Sequence, residues 1–129
     1  MIADTSFIVA LSLAEDHSHT KAISLLEQFD VHHEQILILD RVLEETFTVL
    51  TYKRGVTYAL DIIEKFSKNK NIHIHKLDDN EWSSVLQLAV KLQKKLSFVD
   101  YSILYLYLKF REPLLCFDEE IIKLTKTLS

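Results

Sequence analysis

Short apolar runs alternate along this chain with longer stretches of helical periodicity. Met1–Ala3 leads into Asp4, and Ser6–Leu13 and Ser18–Phe29 then read as helices, the second with Ala22, Leu25, Leu26 and Phe29 on one face. Gln35–Leu39 has the character of a buried strand. A helix follows from Arg41 to about Arg54, where Gly55 is a natural stop. Tyr58–Lys68 is amphipathic, with Ile62, Ile63 and Phe66 together, and Ile72–Lys76 alternates as a strand with one wet face. The spacing of Val85, Leu88, Ala89 and Leu92 predicts a helix over Glu81–Leu96. Phe98–Phe110 is a further helix, ended by Pro113, and Leu114–Phe117 and Glu119–Thr127 close the series as strand and helix. Strands alternating with helices predict an α/β fold with a parallel sheet, whose ligands bind beyond the carboxyl ends of the strands.

That rule groups four acids. Asp4 directly follows the first strand and Asp118 the last, so both belong at the carboxyl edge. Asp100 opens a helix and shares a face with Ile103, Leu104 and Tyr107. Glu45 shares its face with Val42 and Val49 and reads as inward, whereas Glu44 lies with Arg41 and Thr48 and reads as outward. Carboxylates gathered without cations repel one another and take up protons. Hard oxygen ligands of this kind suit one or two Mg²⁺ or Mn²⁺ ions, which activate water and support displacement at phosphorus. A structural reading stands beside this one. Asp4 and Asp118 have the positions of helix N-caps, each contributing about 1 kcal/mol, and Ser97-x-x-Asp100 has the form of a capping box. Mid-helix Glu45 has no such explanation.

Composition changes the picture in a few places. The 129 residues fit one domain, and 48% of them are hydrophobic, enough for a real core. A single Gly and a single Pro argue against a hairpin-rich all-β fold. The lone Cys116 cannot form an internal disulfide. Met1–Leu13 lacks a basic leader, and the longest apolar run, Ile103–Leu108, falls far short of the ~18 residues of a membrane span. A cytoplasmic protein is expected. The net charge of −4 counts against RNA binding by phosphate neutralisation alone, but the four candidate ligands account for all of it.

The quoted residues also carry a resemblance. IADTSFIVALSLAEDHSHTKA is similar to the opening of PIN domains; LEETFTVL resembles their second acidic motif, LSFVDYSIL the third and LLCFDEEI the fourth. The acids Asp4, Glu45, Asp100 and Asp118 stand in the family's order, across essentially residues 1–129. The resemblance implies a three-layer α/β/α fold around a short parallel sheet of about four strands. It further implies a metal-dependent endoribonuclease of the size of VapC-type toxins, with RNA as substrate, a cognate antitoxin as partner and Mg²⁺ or Mn²⁺ as cofactor. Two departures stand out. Cys116 replaces the usual Thr or Ser two residues before the last acid, which predicts weaker local support because a thiol is a poor donor. Many relatives also add a final strand beyond the last helix.

Ser6, two past Asp4, is a candidate to steady a carboxylate or a metal-bound water. Cys116 reads as a core residue. His17 with His19 and His73 with His75 supply too few ligands for zinc, and His32 and His33 read as loop. Lys53, Arg54, Lys94, Lys95, Lys109 and Arg111 read as solvated surface open to RNA phosphates. The Tyr101, Tyr105, Tyr107 and Phe110 group reads as mostly core with a part in a subunit interface, and the aromatic-rich Phe98–Phe110 segment carries more than one face buries, which predicts a homodimer. The competing functions are a non-cleaving PIN-like module that binds RNA or protein, and a phospho-accepting receiver domain. The latter is disfavoured because Asp4 has no acidic neighbour and no strand-end Lys is visible.

Overall fold

The computed structural model describes residues 1–28 and 34–128, so the expectations at Phe29, His32 and His33 lie outside the described residues. The chain runs β1 (Ile2–Ala3), α1 (Thr5–Ser12), α2 (His19–Glu27), β2 (Ile36–Leu39), α3 (Asp40–Arg54), α4 (Val56–Lys68) and β3 (Ile72–His75). It continues through α5 (Asp79–Leu92), α6 (Phe98–Phe110), β4 (Leu114–Leu115) and α7 (Glu119–Leu128). The four strands form one parallel sheet in the order β3-β2-β1-β4, as the α/β pattern predicts. Ile2 pairs with both Leu37 and Leu114, so the central strand is held on both sides although it is very short.

From β1 the chain steps outward to β2 and β3, then returns to place β4 on the other side of β1. With right-handed crossovers, that reversal puts the connecting helices on opposite faces. The packing agrees: α1 contacts α2 and α3, and α3 contacts α4, while α6 contacts α5, α7 and β1. The reversal makes the carboxyl ends of β1 and β4 the switch point of the sheet, where folds of this kind form a ligand-binding crevice. Ile2, Phe7, Ile8, Ile38, Leu39, Ile103, Leu104 and Leu115 fill the core around the sheet, and Val9, Leu13, Leu50 and Ala59 form a smaller cluster between α1, α3 and α4. Gly55 joins α3 to α4 at φ +90°, a conformation that favours glycine and explains its use as the stop.

Three local expectations are corrected. The α5 helix ends at Leu92 rather than Leu96, because Gln93 turns left-handed at φ +55°. The β3 strand does not alternate cleanly: Ile74 is exposed and His75 is half-buried. Its imidazole is drawn to the buried Glu81, which also takes Lys109 Nζ at 3.1 Å and closes a capping box with Asp78. Burial pushes the Glu81 carboxyl up, but the Asp78 N–H, Lys109 and His75 outweigh it and hold it below its usual value. Finally, β4 stops at Leu115, and Cys116 and Phe117 leave the ladder for the site described next. Among the described residues, no helix is long and apolar enough to cross a membrane.

Candidate active site

The crevice at the ends of β1 and β4 is built around Asp4, which is only 6% exposed. The backbone carries Asp4 out of β1, with its N–H donating to Leu115 O at 3.0 Å, and it stands at the N-cap of α1. Its side chain makes no capping bond. Instead Cys116 Sγ donates to Asp4 Oδ2 at 3.3 Å and Ser6 Oγ donates to the same oxygen at 3.4 Å. Ser6 Oγ also accepts the Phe117 N–H at 3.0 Å, and Cys116 Sγ accepts the Asp118 N–H at 3.3 Å. The start of α1 and the end of β4 are thus pinned together through one carboxylate.

Cys116 therefore does more than fill the core. It lies where Thr or Ser was expected, and the thiol both donates toward Asp4 and accepts from Asp118. Burial, then the charge of Asp4, pushes its pKa up to about 12, so it remains a neutral donor and has no nucleophilic character near neutral pH.

The other three acids lie within electrostatic reach of Asp4. Asp118 accepts the Glu120 and Ile121 N–H groups on Oδ1, at 3.0 and 3.3 Å, in the manner of an N-cap for α7. Asp100 is the third residue of α6 and completes the capping box foreseen with Ser97: its N–H donates to Ser97 Oγ at 3.0 Å, and its Oδ2 accepts the Ser97 N–H at 3.2 Å. Glu45 comes from α3. Here the inward reading is corrected, because Glu45 is an exposed residue like Glu44 and both line one open cleft. What distinguishes it is Thr5, whose Oγ1 donates to Glu45 Oε2 at 2.9 Å. Thr5 was missed as a supporting residue; its place directly after Asp4 was the available signal.

Electrostatics links the four. Burial pushes the Asp4 carboxyl above its ordinary value, with the charges of Asp100 and Asp118 adding to the rise and the Thr5 N–H and Cys116 opposing it. Partial desolvation and the charges of Asp4 and Asp100 likewise raise Glu45 at the crevice rim, against the Thr5 hydroxyl. Among the described residues, none of the four is in an ion pair with Lys or Arg. Nor do three His, Cys, Asp or Glu side chains converge closely enough to hold an ion as they stand. The donor chemistry nevertheless fits a hard divalent cation. In Glu45, Asp100 and Asp118 one oxygen is tethered and the other has no partner among the described residues, and the set carries an excess of negative charge that water answers poorly around a buried Asp4.

A parallel α/β sheet with an acidic crevice at its switch point defines a small class of domains. Residues 1–126 match the PIN domain family, and the chain belongs to it. Mycobacterium tuberculosis VapC20, a sarcin–ricin loop cleaving toxin, has a similar structure, with a TM-score of 0.83 over 95% of this chain and 92% of that one. Sequence identity between them is 21%, so this likeness is one of fold. No curated protein matches the sequence.

Proposed function

We propose that this PIN domain is a divalent-metal-dependent endoribonuclease that hydrolyses RNA phosphodiester bonds, acting as one domain in the cytoplasm as the toxin of a toxin–antitoxin pair. The observation that carries the reading is Asp4: a buried carboxylate at a helix start that caps nothing, is pushed up first by burial and then by two neighbouring acids, and has no cationic partner among the described residues.

Asp4, Glu45, Asp100 and Asp118 would hold Mg²⁺ or Mn²⁺. A bound ion of this type supplies Lewis-acid activation of water and neutralises charge gathering on the phosphate. The protein's own contribution is to fix the carboxylates. Ser6 and Cys116 orient Asp4, Thr5 steadies Glu45, Ser97 locks Asp100 and the first turn of α7 holds Asp118. Each of these bonds engages one carboxylate oxygen, which sets the direction of the other. Such supporting bonds are worth about 10–100-fold in activity at metal sites.

The test is incubation of the purified protein with single-stranded or loop RNA. Cleavage is expected in Mn²⁺ or Mg²⁺ and none in chelator; RNA that stays intact in both ions would overturn the reading. We further infer a homodimer, supported by half-buried Tyr105 and Tyr107, exposed Phe110 and other exposed apolar side chains such as Val90. A cognate antitoxin that inserts an Arg or Lys among the acids fits the same charge excess. Sedimentation at tens of micromolar (on the order of interface affinities) is expected to show dimer, and purification from the native host to yield a stoichiometric small partner. A monomer purified alone would remove both assemblies.

A further inference from the structure

Of the cations expected to meet RNA, Arg54 is engaged bidentately by Glu15 and Lys109 by Glu81. Arg41, which the sequence pattern placed with the outward Glu44, is arranged differently. It lies in the first turn of α3, four residues before Glu45 and so on a neighbouring part of the same helix surface. Its guanidinium sits over two rings, 5.0 Å from the Trp82 centroid and 5.3 Å from that of Phe98. The two rings are 4.3 Å apart, tilted by 36°. Among the described residues, no carboxylate pairs with Arg41. With Glu44, Glu45, Thr48, Val49 and Val99 it lines an open cleft of about 470 Å³, within the roughly 300–1,000 Å³ typical of ligand sites.

Two elements that position the acids meet a third beside this cleft: Arg41 comes from the helix of Glu45, Phe98 opens the helix of Asp100, and Trp82, from the first turn of α5, stacks against both side chains at the cleft's Arg41 end. Trp82 is 40% exposed, so part of its ring remains open to a ligand. Stacking holds a guanidinium flat while leaving its N–H edge free, and that edge matches the oxygens of a phosphate. An acidic crevice repels a polyanion, and a cation one turn from Glu45 offsets that repulsion where a strand would enter.

The geometry points to a nucleotide subsite flanking the scissile phosphate, in which Arg41 binds a backbone phosphate of single-stranded RNA and Trp82 stacks its base. The inference rests on the nuclease reading, and it selects single strands because only an unpaired base offers its face to an aromatic ring.

Trp82 is the only tryptophan, so its fluorescence reports the subsite directly. Titrating the protein in chelator with oligouridylate of about ten nucleotides, comparable to single-strand site sizes, is expected to quench the emission saturably. Arg41→Gln should weaken binding about tenfold and reduce the logarithmic salt slope by about 0.7, while Arg41→Lys restores the slope without the full affinity. In Mn²⁺, Arg41→Gln should raise KM more than it lowers kcat. Cleavage with unchanged Trp82 emission and an unaffected Arg41→Gln protein would overturn the subsite and leave the nuclease standing. Quenching without cleavage would support the subsite and remove the nuclease. Emission that changes with protein concentration alone, or that heparin quenches equally, would overturn the inference by assigning Trp82 to subunit contact or general anion binding. Absence of both binding and cleavage would overturn both readings.

Discussion

Asp4→Asn is expected to lower RNA cleavage by orders of magnitude and, in the same protein without metal, to raise thermal stability. The two effects have one cause. Asp4 titrates above its ordinary value of 3.8 in the folded chain, first because it is buried and then because Asp100 and Asp118 face it. A carboxyl raised in this way favours the folded state only while it keeps its proton. Its contribution is complete below the unfolded pKa and is lost as pH rises through the folded one. The metal-free wild type should therefore lose stability as pH climbs out of the acidic range, and the Asn variant should follow a flatter curve. Melting midpoints in chelator across that range check the sign, and they should diverge toward neutral pH. Since Asp4 makes no capping bond, Asn inherits no capping role that would explain a gain. A variant that is less stable than wild type at neutral pH, yet cleaves RNA at full rate, would show Asp4 to be an ordinary structural aspartate.

The second large effect belongs to Cys116. Its thiol donates to Asp4 Oδ2 and accepts the Asp118 N–H, so Cys116→Ala disconnects two acids from each other while removing little volume. Cleavage should fall by about 10–100-fold, the usual consequence of losing support behind a metal ligand. Cys116→Ser keeps both bonds with a stronger donor and should match or exceed the wild type. Measured kcat values for the three proteins separate this from a packing role, under which Ser in a buried position would be the worse replacement. Full activity in Cys116→Ala would contradict the supporting role.

The periodicity of the chain located every strand and helix, because short apolar runs and amphipathic repeats are local properties. The placement of Asp4 and Asp118 at the sheet edge followed from their position right after strands. Their juxtaposition depends on β1 and β4 being neighbours, which no local pattern states; strand order emerges from how the two helical layers pack. Glu45 illustrates another limit. Its spacing from Val42 and Val49 is that of an inward residue, yet it sits exposed at the crevice rim, where partial desolvation and the hydrogen bond from Thr5 mark it out. That Cys116 and Ser6 would share one oxygen of Asp4 was not legible either, because it depends on α1 and the end of β4 meeting in space. In β3 the alternation broke because His75 answers a carboxylate six residues further on. Contacts between distant segments decide such cases.

Four acids, and not merely an acidic surface, are proposed to form one cation site that cleaves RNA. The most direct test is the cleavage rate in Mn²⁺ of Glu45→Gln against Glu44→Gln, two adjacent exposed glutamates lining the same cleft. Glu45 is held by Thr5 and feels the charges of Asp4 and Asp100. A loss of orders of magnitude is expected for Glu45→Gln and a rate within a few-fold of wild type for Glu44→Gln. Equal rates in the two variants, whether both lowered or both unchanged, would contradict the proposal.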